Sequence, residues 1–439
     1  MTSTAQSAAN MPSAPASYLI LQGLASPFFN ILAKQLSSDG SSVHRVNFCG
    51  GDWWYGGHAH NHRFNGKLTQ MEAYYRHLIK RHGITSILLF GDCRPIHKIA
   101  RAVAAEAKLP VWVFEEGYRR PGFITCEYNG TNDLSSLPRS REAIKKRAEQ
   151  LGDSEGESLN APDLPNPMPP RVRMDFTHHM WNILLKPLYF RFMTHRPNKM
   201  SAEIKGWLAR LKRKLKYKNI NTALIKRFEN PGAPFFMAPL QLNSDFQIRE
   251  HSDYEGVLDF IRETVKSFSL NAPKNCILMF KGHPLDNGMI DYRSYIAIAA
   301  LNHGVDGRVD YIEGGDLDLF LKHTEGVVLI NSTVGYAALI KAKPIKAMGR
   351  ALYNMQGLTH QKSLDTFWKK PSSPNLSLIG EFLKVVHNDS QIAGDFFTPQ
   401  GIEMAAIGAA SRIKSDTTLI KDAVRSQRPS KAQLEEISA

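Results

Sequence analysis

Four short constellations in this chain combine residue types able to act on an anionic substrate. Asn331-Ser332-Thr333 sits between the apolar run Val327–Ile330 and a stretch of helical spacing from Val334 to Ala342. Strand, polar turn and helix in that order aim N–H groups and hydroxyls beyond the strand's carboxyl end, where a phosphate is stabilised, although an ordinary capped helix has the same pattern. Lys281-Gly282-His283-Pro284 closes the run Cys276–Phe280. Glycine there permits close approach, proline fixes the backbone after the histidine, and His283 can donate to a phosphate oxygen while Lys281 adds charge. Glu115-Glu116-Gly117 ends the run Val111–Phe114 and is followed by Arg119 and Arg120. Neighbours on an extended chain point opposite ways, so one carboxylate is expected to face the ligand pocket and the other a partner such as Arg119 or Arg120. A pocket carboxylate with a raised pKa is a general acid or base. Gln241 and Asp245 lie four apart just after Phe235–Pro239. A helix starting at 243–245 brings both to one pocket, and Asp245 serves equally well as that helix's N-cap.

The elements that must position these groups alternate in type. Tyr18–Leu21, Val43–Phe48, Ser86–Phe90 and Val111–Phe114 read as strands, with helices near Phe28–Leu36, Leu68–Arg81 and Ile96–Ala107 between them. A second series runs from Phe235–Pro239 through the strands Cys276–Phe280, Arg308–Ile312, Val327–Ile330 and Pro344–Ala347. Helices Tyr254–Ser267, Tyr292–Asn302 and Leu317–His323 alternate with them. This βαβ rhythm predicts parallel sheets covered by helices, with ligands at the carboxyl ends of the strands. Gly23, Gly50-Gly51-Asp52, Gly91-Asp92 and Glu115-Glu116-Gly117 all fall at that edge.

The resulting organisation is a disordered N-terminus over 1–16, an N-terminal Rossmann-like lobe over 17–150 and a Pro-rich insertion with basic amphipathic helices over 151–230. A C-terminal Rossmann-like lobe over 231–415 and a polar tail over 416–439 complete it. Within the insertion Ile204, Trp207, Leu208, Leu211 and Leu215 share one helical face, and Lys205, Arg210, Lys212, Arg213, Lys214, Lys216 and Lys218 crowd the rest. Upstream, residues 181–193 are apolar and aromatic with interspersed basic groups. Both segments suit an anionic bilayer surface, and both equally suit helices packed on the lobes with a solvated outer face.

The 439 residues, 43% of them hydrophobic, suffice for two lobes with their own cores. A formal net charge of +14 implies anionic partners. Nucleic acid is not expected, because neither zinc-ligand spacing nor an RNA-binding aromatic motif accompanies the charge. Cys49, Cys93, Cys126 and Cys276 are scattered and unpaired in pattern, which fits a reducing cytoplasm. The start lacks the pattern of a secretory signal, and the absence of a span-length apolar run limits any membrane contact to the periphery.

In order along the chain, Leu21-Gln-Gly-Leu-Ala-Ser-Pro-Phe-Phe29, Gly91-Asp-Cys-Arg-Pro-Ile-His97, Phe114-Glu-Glu-Gly-Tyr-Arg-Arg-Pro121, Gln241 to Asp245, Lys281-Gly-His-Pro-Leu-Asp286, Asn331-Ser-Thr-Val-Gly335 and Gly349-Arg-Ala-Leu-Tyr353 with Gly357-Leu-Thr359 form a set. The set resembles the capsule polysaccharide biosynthesis and export family, in its KpsS/LipB type of retaining β-Kdo glycosyltransferase. The resemblance implies a GT-B-like fold, two Rossmann-type lobes with a cleft between them, and CMP-Kdo as donor substrate with no cofactor. It implies a phosphatidylglycerol-type lipid acceptor at an anionic membrane surface, a cytoplasmic, peripheral location on the inner face of the inner membrane, and other capsule assembly proteins as further partners. By the same resemblance His283-Pro284, Lys281 and Ser332-Thr333, with Asn331 and Gln241, hold the donor; Asp245 is the nucleophile; and Glu116, preferred over Glu115, is the acid/base. No metal is expected, since basic groups can stand at the phosphate and no D-x-D element occurs in a suitable context. The segment 152–170 and the run Glu313-Gly-Gly-Asp316 are possible departures from the family, neither expected to touch a catalytic residue. Rival expectations are another CMP- or UDP-sugar enzyme of the same architecture and a non-catalytic capsule-export adaptor.

Overall fold

A computed structural model describes residues 15–152, 161–191, 200–243 and 245–426. The first lobe contains strands β1 (Ser17–Ile20), β2 (Ser42–Asn47), β3 (His60–Arg63), β4 (Ser86–Phe90), β5 (Val111–Glu116) and β6 (Phe123–Tyr128). The second contains β7 (Phe235–Pro239), β8 (Ile277–Gly282), β9 (Val309–Glu313), β10 (Gly326–Leu329) and β11 (Ile345–Ala347), and β12 (Gln391–Ala393) follows. One sheet has the order β12-β6-β5-β4-β1-β2-β3 and the other β11-β10-β7-β8-β9. The second sheet is parallel throughout, while in the first only β6 runs against its neighbours. Two parallel-sheet α/β lobes make the architecture GT-B-like.

The strands form where short apolar runs can be covered on both faces, as parallel sheets require. Leu19, Leu21, Val46, Ile87 and Leu89 pack with one helix layer, and Tyr18, Ile20, Val43 and Leu88 with the other. The second lobe is divided likewise into cores around Phe235, Met237 and Met279 and around Phe236, Leu278 and Phe280.

Three strands depart from the expected rhythm. β3 is an edge strand with no apolar residue, and β6 returns antiparallel on β5 directly after Gly122. β12 pairs with β6, and the helix Pro399–Ser426 packs on the helix Phe28–Leu36. The expected second lobe over 231–415 is therefore corrected at its end: from β12 onward the chain has crossed back to complete the first lobe, where Phe396, Ile402, Ala406 and Ile413 fill its core. The expected tail from 416 is helical to Ser426, and 427–439 lie outside the described residues. The expected disorder over 1–16 falls on residues outside the description, except that positions 15 and 16 lead into β1. Within 151–230 the helices are Met168–Leu184, Met200–Lys216 and Lys218–Glu229, and 153–160 are not described.

Candidate active site

The two lobes enclose a cleft of about 790 Å³ at the carboxyl ends of their strands. Asp245, Glu115, Glu116, His283, Ser332, Thr333, Asn331 and Gln241 all line it, so eight of the ten residues singled out by sequence share one cavity. Lys281 and Pro284 do not line it. Lys281 is still a ladder residue, opposite Pro239 and Ile312, and the chain turns only at His283. Its charge nevertheless reaches the imidazole.

Glu115 and Glu116 diverge as the extended backbone demands. Glu115 Oε1 accepts from Gln247 Nε2 at 3.2 Å, and Gln247 Oε1 accepts in turn from Asn132 Nδ2 at 2.6 Å, a chain joining the lobes. Burial, reinforced by the charges of Asp92 and Asp245, pushes the Glu115 carboxyl up to about 8. Glu116 Oε1 is paired with Arg171 Nη1 at 3.1 Å, rather than with either expected arginine. Arg171 comes from the helix Met168–Leu184, and Arg120 Nε is occupied by the Gly117 carbonyl at 2.8 Å. In the cleft Glu115 thus meets an uncharged amide, whereas Glu116 is ion-paired with Arg171.

Asp245 is both things that its position allowed. It caps the helix Phe246–Glu250, Oδ1 accepting from Gln247 N at 2.9 Å, and it faces the cleft. Burial raises its pKa against the lowering effect of the Gln247 N–H and the Gln241 amide. Gln241 is held by Asn331: its Nε2 donates to Asn331 Oδ1 at 2.8 Å, and its Oε1 accepts from Asn331 N at 3.2 Å. Asn331 Nδ2 donates onward to Gln247 O at 2.7 Å. Ser332 Oγ accepts from Val334 N at 3.2 Å, whereas Thr333, at the cap position, makes no side-chain capping bond. Of Asn331, Ser332 and Thr333, Ser332 thus bonds the start of the helix through its side chain, and Asn331 braces the Gln241–Asp245 loop.

His283 Nδ1 accepts from Leu285 N at 3.1 Å, so the neutral ring carries its proton on Nε2 as a donor. Burial first, then Arg120 and Lys281, lowers its pKa to about 4. Its loop is clamped by Arg210 from the helix Met200–Lys216. Arg210 donates to the carbonyls of His283 at 3.2 Å and Pro284 at 3.0 Å, bonds the Asp286 carbonyl, and pairs with Glu313 at 3.2 Å. Gly206 lets this helix approach: a Cβ there would stand 2.5 Å from Asn287 O. Glu313 thus supports the His283 loop through Arg210 and, as expected, pairs with none of the proposed catalytic residues. Gly314 and Gly315, at φ +90° and +75°, then turn the chain as few other residues can.

Gln247, Arg171 and Arg210 were missed by sequence reasoning. Gln247 and Arg171 carry no local signal. Arg210 was counted among the solvated basic residues of its helix, although it is buried.

The outer faces of both flanking helices are apolar and exposed. Phe176 and Ile183 of Met168–Leu184 are 67% and 66% exposed, and Leu211 and Leu215 of Met200–Lys216 are 55% and 68% exposed. The first helix packs on the N-terminal lobe, with Trp181 stacked on Trp54 at 4.5 Å, and contributes Arg171 and Asp175 to the cleft. The second lies on the other lobe and contributes Trp207. No helix among the described residues is long and apolar enough to cross a membrane.

Fold and cleft together define a two-lobed, GT-B-like α/β protein with carboxylates and phosphate-compatible donors facing one cavity. The chain belongs to the family described as capsule polysaccharide biosynthesis protein, whose model it matches over residues 85–397, more than half its length. It is 36% identical over 374 residues to the capsule polysaccharide export protein KpsS of Escherichia coli, covering 83% of this chain and 92% of that one. It is 33% identical over 388 residues to the capsule polysaccharide modification protein LipB of Neisseria meningitidis serogroup B, covering 87% and 91%. Among solved structures it is similar to Thermosulfurimonas dismutans KpsC, beta Kdo 2,7 transferase, at 13% identity and a TM-score of 0.43, covering 91% of this chain and 99% of that one.

Proposed function

We propose that this chain is a retaining β-Kdo glycosyltransferase that moves Kdo from CMP-Kdo to a phosphatidylglycerol-type lipid, starting the β-Kdo linker of a capsular polysaccharide. The observation that carries the reading is the meeting of Asp245, Glu115, His283 and Ser332 in one interlobe cavity. In the first step Asp245, through Oδ2, attacks the anomeric carbon of Kdo as the bond to the phosphate oxygen breaks. CMP leaves with both electrons of that bond, and no proton is required. His283 Nε2–H and the Ser332 and Thr333 hydroxyls meet the charge it carries away. In the second step the acceptor hydroxyl attacks the same carbon, Glu115 takes its proton, and the bond to Asp245 breaks. Two inversions at one carbon preserve the configuration, by analogy with retaining glycosidases.

The exposed apolar faces beside the cleft, one on each lobe, favour an acceptor delivered from a bilayer surface, and their basic residues favour anionic lipid. In this reading the protein sits peripherally on the cytoplasmic face of the inner membrane, among other capsule assembly proteins. It needs no cofactor for transfer. Incubation with CMP-Kdo and short-chain phosphatidylglycerol, followed by mass spectrometry, is expected to show one Kdo added to the lipid, together with thermal stabilisation by CMP and not UDP. Stabilisation by UDP alone would assign the cleft to a different sugar nucleotide, and donor binding without any lipid product would favour an export adaptor.

A further inference from the structure

A second cluster of chemically capable side chains lies at the opposite edge of the first sheet. β2 and β3 pair in the register His44↔His60 and Val46↔His62, so His44, His60 and His62 project from one face. That face is covered by the helix Met71–His82, whose Met71, Tyr75 and Leu78 pack with Val46. The helix ends at His82, whose carbonyl accepts from the Ser17 hydroxyl at the beginning of β1. The amino-terminal edge of the sheet therefore gathers histidines from three elements, remote from the cleft at the strands' carboxyl ends.

Their geometry is convergent. His44 Nδ1 and His62 Nε2 are 3.0 Å apart, and their rings stack at 5.2 Å. The His82 ring lies 4.3 Å from that of His44 and 4.9 Å from that of His62. One ring nitrogen from each of His44, His62 and His82 falls within 4.8 Å of the others. The groups acting on them are each other, His60, His77 and Arg81, with no carboxylate among them. A neutral imidazole offers one lone-pair nitrogen to a metal ion. A cation placed among the three rings can accept a lone pair from each.

We propose that His44, His62 and His82 bind a divalent transition metal ion of the zinc class. A set built from imidazole alone selects zinc, cobalt, nickel or copper over magnesium and calcium, which prefer oxygen. With metal–nitrogen bonds of about 2.0–2.1 Å, tetrahedral binding sets nitrogen separations of about 3.4 Å, so the His44–His62 pair at 3.0 Å opens slightly and the other separations, within 4.8 Å, close by at most about 1.4 Å through side-chain rotation. His62 and His82 are only partly buried, which leaves an entry path, and exposed His60 or a water can fill a fourth position. The ion would tie edge strand β3, otherwise paired on one side only, to β2 and to the end of the covering helix. This inference is independent of the transfer chemistry.

The test uses the full chain stripped of metal with a chelator and titrated with zinc, the bound metal being counted after dialysis. One tight equivalent is expected, with a raised Tm and no response to magnesium. His62→Gln and His82→Gln are each expected to weaken binding by at least about tenfold and to abolish the Tm rise. These partly exposed positions spare the core, which substitution of buried His44 would not. Cobalt is expected to give ligand-field bands without a thiolate charge-transfer band. Absence of stoichiometric zinc binding by the wild-type chain, or binding that survives both substitutions together, would overturn the proposal. So would a thiolate band lost in Cys49→Ser or Cys93→Ser, which would place the ion in one of two other groups, Cys49–Asp52–His178 or Asp92–Cys93–His251.

Discussion

Replacing Glu115 by Gln changes one oxygen for an amide and leaves the acceptor that Gln247 uses. Burial and the neighbouring Asp92 and Asp245 raise the Glu115 pKa from 4.5 to about 8, so ionising it costs the folded state more than the unfolded chain. A rise from 4.5 to about 8 sets a ceiling of roughly 4.8 kcal/mol, and screening by solvent in the cleft brings the expected effect to about 1–3 kcal/mol. The sign follows from linkage. A carboxyl whose folded pKa is raised loses stability as pH climbs from about 4.5 toward 8 and is neutral in effect below that window. Glu115→Gln should match the wild type near pH 4.5 and exceed it by the stated amount at pH 8.5, measured by urea unfolding at a series of pH values. Transfer activity of the variant should fall by about 10²–10⁴-fold through loss of the base. In the wild type the rate should rise with pH and level off above about 8, as the carboxylate ionises. Equal stability at both ends of the range, or full activity in Glu115→Gln with loss in Glu116→Gln, would refute the assignment.

Asp245→Asn should keep the helix cap, since asparagine caps as well as aspartate, and lose transfer; Asp245→Ala should lose transfer and about 1 kcal/mol of stability besides, so comparing the two by unfolding and turnover separates cap from chemistry. Arg210→Met should cost about 3–5 kcal/mol by leaving Glu313 unpaired and three loop carbonyls without their donor, and should weaken CMP binding in a calorimetric titration. The protein should bind anionic vesicles in flotation assays, more weakly as salt is added, and Phe176→Asp with Leu215→Asp should reduce that binding; equal binding to neutral vesicles would contradict the lipid-surface reading.

The parallel strands were legible because short apolar runs alternate with stretches of helical spacing, a signal that survives without tertiary information. β3, with the sequence His-Asn-His-Arg, has no such signal: it exists because β2 offers it a ladder. β12 has three residues, and only the return of the chain to the first lobe makes it a strand. The cleft-lining residues were legible where chemistry-bearing types stood at strand ends. What the sequence concealed was their division of labour. Glu116 and Glu115 are indistinguishable by type and spacing, and they are separated by Arg171, 55 residues further along the chain. Lys281 looked like a turn residue, yet the β7–β8–β9 ladder holds it in the strand. Arg210 was obscured by the basic residues around it, and its burial depends on the glycine contact between its helix and the His283 loop.

In the proposed reaction Asp245 captures the sugar while CMP departs toward His283. The most direct measurement is peptide mapping by mass spectrometry of the Glu115→Gln protein after incubation with CMP-Kdo, in which the second step is slowed and the first is not. One Kdo residue attached to Asp245, released on addition of lipid acceptor to the wild-type protein, is the expected result. Release of CMP with Asp245 unmodified, or a Kdo adduct on another side chain, would contradict it.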